Sequence, residues 1–204
     1  MTSFTKIITL LLVFSQLSCL AQRNKTRTEK SAAQSPNIIY ILADDLGYGD
    51  VKAFNPEGKI ATPNLDAMAT NGVKFTEAHT SSAVCTPTRY GILTGRYNWR
   101  SSLKSFVLSG YSKSLIKQER TTIAEMLKTQ GYTTAYVGKW HLGWDWDIAD
   151  KDANLEHDKL NVNPEVNFAS PVKNGPATHG FDYSFGFCGE RYAHYGADQD
   201  DGFG

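Results

Sequence analysis

The sequence lacks an excess of charge of either sign. Lysine and arginine together number 21, aspartate and glutamate also number 21, and the formal net charge at pH 7 is zero. A protein without a strong overall field has no general electrostatic attraction for nucleic acid or for an anionic bilayer. We therefore expect no nucleic-acid partner, and any recognition of an anion must come from local groups.

A long hydrophobic run is also missing. The one marked apolar stretch, IITLLLVF, follows Lys6 and leads into SQLSCLAQ. It is too short to span a bilayer, and its positive flank and small residues predict a secretory signal peptide over residues 1–21, with cleavage after Ala21. Residues 22–36 are polar and predict a flexible leader. We expect export, to the periplasm or out of the cell.

Cysteine is scarce, with three residues in the chain. Cys19 offers an alternative to simple export, in which a lipoprotein peptidase acylates it and a membrane becomes a partner, but Gln16 stands where that signal favours an aliphatic residue. Removal of residues 1–21 leaves Cys85 and Cys188, which allow at most one disulfide. We expect Cys85 to be left free, and the pairing of Cys188 stays open.

The sequence has no internal repeats, and strand and helix signals alternate along it. NIIYILA at residues 37–43 predicts a buried strand, and Val73–Phe75 predicts the start of a second strand. Between them, residues 62–72 predict a helix that begins with Thr62 and Pro63 and ends at Gly72. This alternation predicts an α/β fold, a mostly parallel sheet flanked by helices.

The same alternation continues further along the chain. Thr122 and Glu125 form a capping box ahead of a helix that Gly131 closes, and residues 132–137 predict a strand that delivers GKWHLG at its end. Residues 144–178 are rich in Asp, Asn and Pro and predict a polar surface insertion. Its aspartates, at 145, 147, 150 and 152, suggest calcium, but the loop lacks the glycine and closing glutamate of a calcium loop, so we expect a solvated loop.

Residues 81–93, SSAVCTPTRYGIL, predict a helix with Thr88 as its N-cap, so Cys85 would lie just ahead of the helix. Unpaired N–H groups and the helix dipole there favour a thiolate or a bound oxyanion. The alternative is a small buried cysteine near a turn. Arg89 lies one helical turn beyond and can neutralise a charge at Cys85, or else form a surface salt bridge.

Two further pairs of polar residues follow predicted strands. Asp44 and Asp45 can reach one hard cation if the chain turns at Leu46 and Gly47, or can simply cap a turn. Lys139 and His141 share one side of an extended segment, which suits binding of a tetrahedral oxyanion and transfer of a proton. A solvent-exposed lysine and a structural histidine are the alternative.

These motifs belong to five segments that occur in this order: NIIYILADDLGYGD, TPNLDAMATNGVKFTEAHT, CTPTRYGILTGR, TIAEMLKTQGYTTAYVGKWHLG and HGFDYSFG. Together they closely resemble the N-terminal half of the type I sulfatases, arylsulfatase-like enzymes of the alkaline phosphatase superfamily. The resemblance runs from about Asn37 to Gly189, apart from the polar insertion. It implies that residues 37–204 are the N-terminal part of a sulfatase catalytic domain that hydrolyses sulfuric esters.

The resemblance also implies roles for the candidate residues. A formylglycine-generating maturation enzyme would read Cys85, Pro87 and Arg89 and oxidise the cysteine, whose aldehyde hydrate is the nucleophile in the family. Aspartates matching Asp44 and Asp45 bind calcium, which also contacts the residue at Cys85. Arg89 would steady the formylglycine.

The remaining implied roles fall on the segment after the predicted strand. Lys139 and His141 would bind the sulfate and the hydrate, and His141 is also the candidate base. The substrate implied is an aryl sulfate or a sulfated carbohydrate. Aromatic residues of WDWD and ERYAHYG can serve a sugar subsite by stacking or can pack in the core.

Part of the family pattern has no counterpart before Gly204. Later segments supply the family's Asp-Asn metal ligands, a further lysine, the histidine that acts as the acid, and the C-terminal domain. Neither His179 nor His194 sits in a matching motif. We therefore expect a truncated fold that lacks the later strands, and the 204-residue chain itself can be an inactive fragment. The alternatives are a phosphodiesterase or phosphonate hydrolase of the same superfamily, and a non-catalytic remnant that binds sulfated glycans.

Overall fold

The helices of the described residues lie in the regions that local sequence signals predict, although the helix predicted to close at Gly131 ends at Lys128. A computed structural model describes residues 35–150, 155 and 164–189, with α1 at Pro63–Asn71, α2 at Cys85–Thr94 and α3 at Ile123–Lys128. Short 3₁₀ turns occupy Tyr48–Asp50, Asn98–Arg100 and Pro176–His179. None of the helices in these ranges is long and apolar enough to cross a membrane.

Two strands form a small parallel sheet. Strand β1 is Ala135–Lys139 and β2 is Tyr183–Phe187, paired so that Lys139 lies opposite Phe187. Pairing continues past the strand ends, because the Trp140 N–H donates to the Phe187 carbonyl over 2.8 Å. The carboxyl ends of both strands therefore lie at one edge, and the polar residues that follow β1 are delivered there. This confirms a parallel sheet with helices, as far as the described residues show it.

The predicted first strand is not formed. Residues 37–43 have no regular structure, and their side chains are exposed, with Ile39 at 85%. Residues 73–75 also form no strand, and Val73 and Phe75 are exposed. An apolar run becomes a strand only when a neighbouring strand pairs with its backbone, and the only paired strands among the described residues are β1 and β2.

The core lies between the segment after α2 and the segment after β1. It contains Trp140, Leu142, Trp144 and Trp146 packed against buried side chains at 103–116, together with Tyr90 of α2. Trp140 makes an edge-to-face contact with Tyr136, and Trp144 makes one with Trp146, which is a favourable arrangement of ring quadrupoles. This core fixes the position of the chain just beyond the end of β1.

The start of the predicted surface insertion, 144–178, is buried rather than solvated. Trp144 is fully buried and Trp146 is 9% exposed, so the sugar subsite considered for WDWD is wrong. Asp145 accepts hydrogen bonds from the Ser114 N–H at 3.2 Å and from the Asn174 amide at 2.6 Å, and its backbone pairs with Lys173. Residues 190–196, which include ERYAHYG, lie outside the described residues, as do Cys19 and His194.

The HGFD segment joins α3 to the sheet. The capping box is confirmed: the Glu125 N–H donates to the Thr122 hydroxyl, which in turn donates to the His179 carbonyl over 2.7 Å. Gly180 has φ +97°, and a Cβ there would lie 2.5 Å from the Glu125 nitrogen, so only glycine fits. Asp182 accepts from the Thr134 N–H at 2.9 Å at the entry to β1.

Candidate active site

Cys85 is the first residue of α2, so the helix begins four residues earlier than the predicted N-cap at Thr88 implied. Val84 is the extended N-cap, and Pro87 is tolerated in the first turn because its missing N–H has no intrahelical partner there. Thr88 is therefore inside the helix rather than its N-cap, and its hydroxyl donates to the Ser82 carbonyl over 2.6 Å. The Cys85 thiol is free and partly exposed at this helix terminus.

Thr86 ties the start of α2 to two other segments. Its side chain is fully buried, and its hydroxyl donates to the His141 carbonyl over 2.8 Å while it accepts from the Leu108 N–H at 3.2 Å. One hydroxyl therefore satisfies two backbone groups that would otherwise be buried without partners. This contact fixes Cys85, its neighbour in sequence, relative to the chain that follows β1.

Arg89 reaches from α2 to the end of β1. Its guanidinium donates to the Lys139 carbonyl through Nη1, and its Nη2 lies 3.6 Å from the Asp44 carboxylate. The side chain is only 11% exposed. Because it lies one helical turn beyond Cys85, it carries a buried positive charge close to the helix terminus.

Lys139 completes a cluster of three charged residues, which we call the charge cluster: Asp44, Arg89 and Lys139. The Lys139 Nζ lies 2.8 Å from the Asp44 carboxylate, and its side chain is 9% exposed. The hydrogen bond from Lys139 holds the pKa of Asp44 below its usual value. Burial opposes this effect, and the positive charges of Lys139 and Arg89 lower the pKa further. Two cations thus share one carboxylate, leaving local positive charge suited to an anion.

Tyr136 is a member of the site that the sequence did not reveal. Its hydroxyl donates to the Lys139 carbonyl, the same acceptor that Arg89 uses. Burial raises the pKa of Tyr136, so the hydroxyl stays protonated and able to donate at neutral pH. Alternation along β1 places the Tyr136 side chain on the opposite face of the strand from Ala135 and Val137. The sequence contains no signal for its contact with the backbone of Lys139.

His141 is fully buried and does not lie beside Lys139 in an extended segment, as expected. Its φ is +52°, so the chain turns at this residue and the alternation of sides ends. Its Nε2 lies 2.8 Å from the Leu108 carbonyl, which can only accept, so Nε2 carries the proton. The peptide N–H of His141 donates to the Cys188 carbonyl.

Asp45 follows Asp44 with φ +57°, so the predicted turn after the two aspartates is present. Both aspartates are exposed, and the side chain of Asp44 is 42% exposed. The structure therefore brings together Asp44, Arg89 and Lys139, places Cys85 on the same helix as Arg89, and holds His141 in the adjoining core. Cys188 is a free, fully buried thiol whose pKa is raised by burial, and it forms no disulfide with Cys85.

Comparison with known proteins places this geometry in a family. The family described as Sulfatase matches residues 36–201. The chain belongs to the sulfatase family. Its fold and its motif order thus agree with the resemblance read from the sequence.

Relatives of this chain carry names of different substrates. It is 49% identical over 111 residues to an N-acetylgalactosamine-6-O-sulfatase of Bacteroides thetaiotaomicron, covering 54% of this chain and 21% of that protein. It is 37% identical to human steryl-sulfatase, covering 78% of this chain and 24% of that protein. The chain therefore spans about a fifth to a quarter of these relatives.

A solved structure gives the same outcome for the fold. A sulfatase from work on the metabolism of multiple glycosaminoglycans by Bacteroides thetaiotaomicron matches with a TM-score of 0.61 and 39% identity. The match covers 76% of this chain and 28% of the solved chain. The fold of this chain is thus similar to part of that sulfatase structure.

The carboxylates at the turn after residue 43 suit calcium in donor type but not in number. Ca²⁺ takes six to eight oxygen ligands, and Asp44 and Asp45 offer adjacent carboxylates at a turn. The described residues contain no group of three or more His, Cys, Asp or Glu side chains able to hold a metal. Asp44 and Asp45 could thus supply only part of a calcium site.

Proposed function

We propose that this chain carries the nucleophile and the first anion-binding residues of a sulfuric ester hydrolase. The observation that carries the proposal is the charge cluster beside α2: Arg89 and Lys139 converge on Asp44, while Cys85 begins the same helix that bears Arg89. A sulfate ester is an anion with a tetrahedral centre, and cations in a poorly solvated site stabilise the charge that develops on its oxygens.

Cys85 is the residue that would be modified. We infer that a maturation enzyme converts it to formylglycine, whose hydrate supplies the hydroxyl nucleophile in this family. Thr86 then fixes the position of the modified residue relative to the chain after β1, because its hydroxyl is hydrogen-bonded to the backbones of His141 and Leu108. Arg89 of α2 and Tyr136 of β1 both donate to the Lys139 carbonyl. These two hydrogen bonds fix the backbone from which the Lys139 side chain extends.

In the proposed site, Asp44 would contact both a calcium ion and Lys139. Asp44 and Asp45 would hold a calcium ion together with ligands beyond the described residues, and the ion would supply charge stabilisation for the sulfate oxygens. Lys139, which is paired with Asp44 in this structure, would then be available to an oxygen of the sulfate. His141 can take up a proton at Nδ1, because its Nε2 donates to Leu108.

We further propose a sulfated sugar as the substrate and export of the protein through residues 1–21. The N-acetylgalactosamine-6-O-sulfatase is the relative with the higher identity of the two compared, and a solved neighbour comes from work on glycosaminoglycan metabolism. Human steryl-sulfatase keeps a steryl sulfate as an alternative, and the resemblance in the sequence keeps an aryl sulfate as another.

The test is sulfate release by the protein expressed from its natural reading frame together with a formylglycine-generating enzyme. N-acetylgalactosamine 6-sulfate and an aryl sulfate serve as substrates, with calcium present or chelated. We expect release by the wild type, none by Cys85→Ala, and a raised KM for Lys139→Gln. Equal rates for the wild type and Cys85→Ala, or no release by either, would contradict the proposal.

A further inference from the structure

Trp99 differs from the other three tryptophans of the chain because it is exposed. Trp140, Trp144 and Trp146 are buried, whereas Trp99 is 56% exposed and Tyr97 is 54% exposed. Their rings stack with centroids 4.0 Å apart and planes inclined by 12°. The pair, which we call the aromatic platform, lies in the turn that follows α2 and presents a flat apolar face to solvent.

The platform lies in a segment of the chain whose charged residues are all basic. In a protein with no net charge, residues 78–118 contain no acidic residue, and every formally charged side chain is basic: Arg89, Arg96, Arg100, Lys104, Lys113 and Lys117. Such local segregation gives an attractive field for anions that the whole molecule does not have.

Lys104 places one of these charges against the platform. Its Nζ donates to the carbonyls of Trp99, at 2.9 Å, and Ser101, at 2.7 Å. An ammonium has three N–H donors, so these two bonds hold the charge in place and leave one donor for a ligand. Arg100, next to Trp99 in sequence, is exposed.

We propose that the aromatic platform, with Arg100 and Lys104, is a binding site for the sulfated sugar units of a polysaccharide, separate from the centre at Cys85. A pyranose ring has an apolar C–H face that packs on an aromatic ring, and its sulfate esters complement the basic side chains. Because α2 has ten residues, its rise separates Cys85 from the platform end of the helix by about 15 Å. The choice of a sulfated ligand rests on the proposed function, whereas the site itself does not.

Titration calorimetry tests the site with a chondroitin 6-sulfate oligosaccharide and its chemically desulfated form as probes. Trp99→Leu removes the platform, Arg100→Gln with Lys104→Gln removes the charge, and Phe75→Leu is the matched control, because Phe75 is 73% exposed elsewhere. Loss of one aromatic face is expected to raise the Kd about tenfold. Phe75→Leu should bind as the wild type does.

The remaining measurements distinguish the contribution of the basic side chains to binding from any effect of sulfatase activity. The doubly neutralised variant should bind more weakly and lose part of the salt dependence, and the desulfated probe should bind more weakly to the wild type. Cys85→Ala should bind the sulfated probe unchanged, so absence of sulfatase activity would not affect this result. Wild-type affinity in Trp99→Leu, equal affinity for both probes, or no binding by the wild type would each overturn the proposal.

Discussion

Replacement of Thr86 by valine should destabilise the chain more than its small change in shape suggests. Valine keeps the branched side chain and nearly the same volume but has no hydroxyl. The His141 carbonyl and the Leu108 N–H would both lose a partner in a site where Thr86 is fully buried. An unsatisfied buried backbone group costs about 1 to 3 kcal/mol, so we expect the free energy of unfolding to fall by about 2 to 4 kcal/mol.

Serine at the same position is the matched control. Thr86→Ser keeps the hydroxyl and removes one methyl group, which should cost about 1 kcal/mol. Urea unfolding followed by fluorescence of the buried tryptophans measures both variants. A valine variant as stable as the serine variant would refute the argument that the hydroxyl, rather than packing, joins α2 to the chain after β1.

Three further perturbations test other parts of the structure. Gly180→Ala should cost about 3 kcal/mol or more, because its Cβ would meet the backbone of α3, whereas Gly131→Ala, at φ +80° in open space, should cost about 1 kcal/mol; urea unfolding compares the two. The hydrogen bond from Lys128 lowers the pKa of Asp182 to about 2, so the carboxylate stabilises the fold above pH 3.8 and ceases to do so as the pH falls through about 2. The difference in unfolding free energy between wild type and Asp182→Asn should therefore shrink over that range. A constant difference would contradict the pairing of Asp182 with Lys128. Iodoacetamide should label Cys85 in the folded protein and Cys188 only after unfolding, as peptide mass spectrometry can verify, since Cys188 is fully buried; fast labelling of Cys188 would disagree with its place in the core.

Local signals predicted the starts of α1 and α3 correctly because each helix end depends on a few neighbouring residues, but they placed the start of α2 four residues too late. Pro63 begins α1, and Thr122 and Glu125 form the predicted box at α3. Strand β1 was predicted at 132–137 and lies at Ala135–Lys139, because pairing with β2, almost fifty residues away in sequence, decides which residues are in register.

The site was predictable in its residue types but not in its geometry. The one-turn spacing of Cys85 and Arg89 followed from the sequence, although Cys85 was expected just ahead of the helix. The shared contact of Arg89 and Tyr136 with the Lys139 carbonyl depends on tertiary packing. His141 was expected beside Lys139, yet its left-handed backbone turns it into the core. A positive φ at a histidine is set by surrounding structure and has no local sequence signal.

The mass of the tryptic peptide that contains Cys85 tests the central claim most directly. The chain is expressed with an active formylglycine-generating enzyme, and a known substrate peptide in the same cells confirms that the enzyme works. Our account predicts the aldehyde or its hydrate at Cys85 and no modification in Cys85→Ser. An unmodified thiol at Cys85, with the known substrate converted, would contradict the assignment of this residue as the nucleophile.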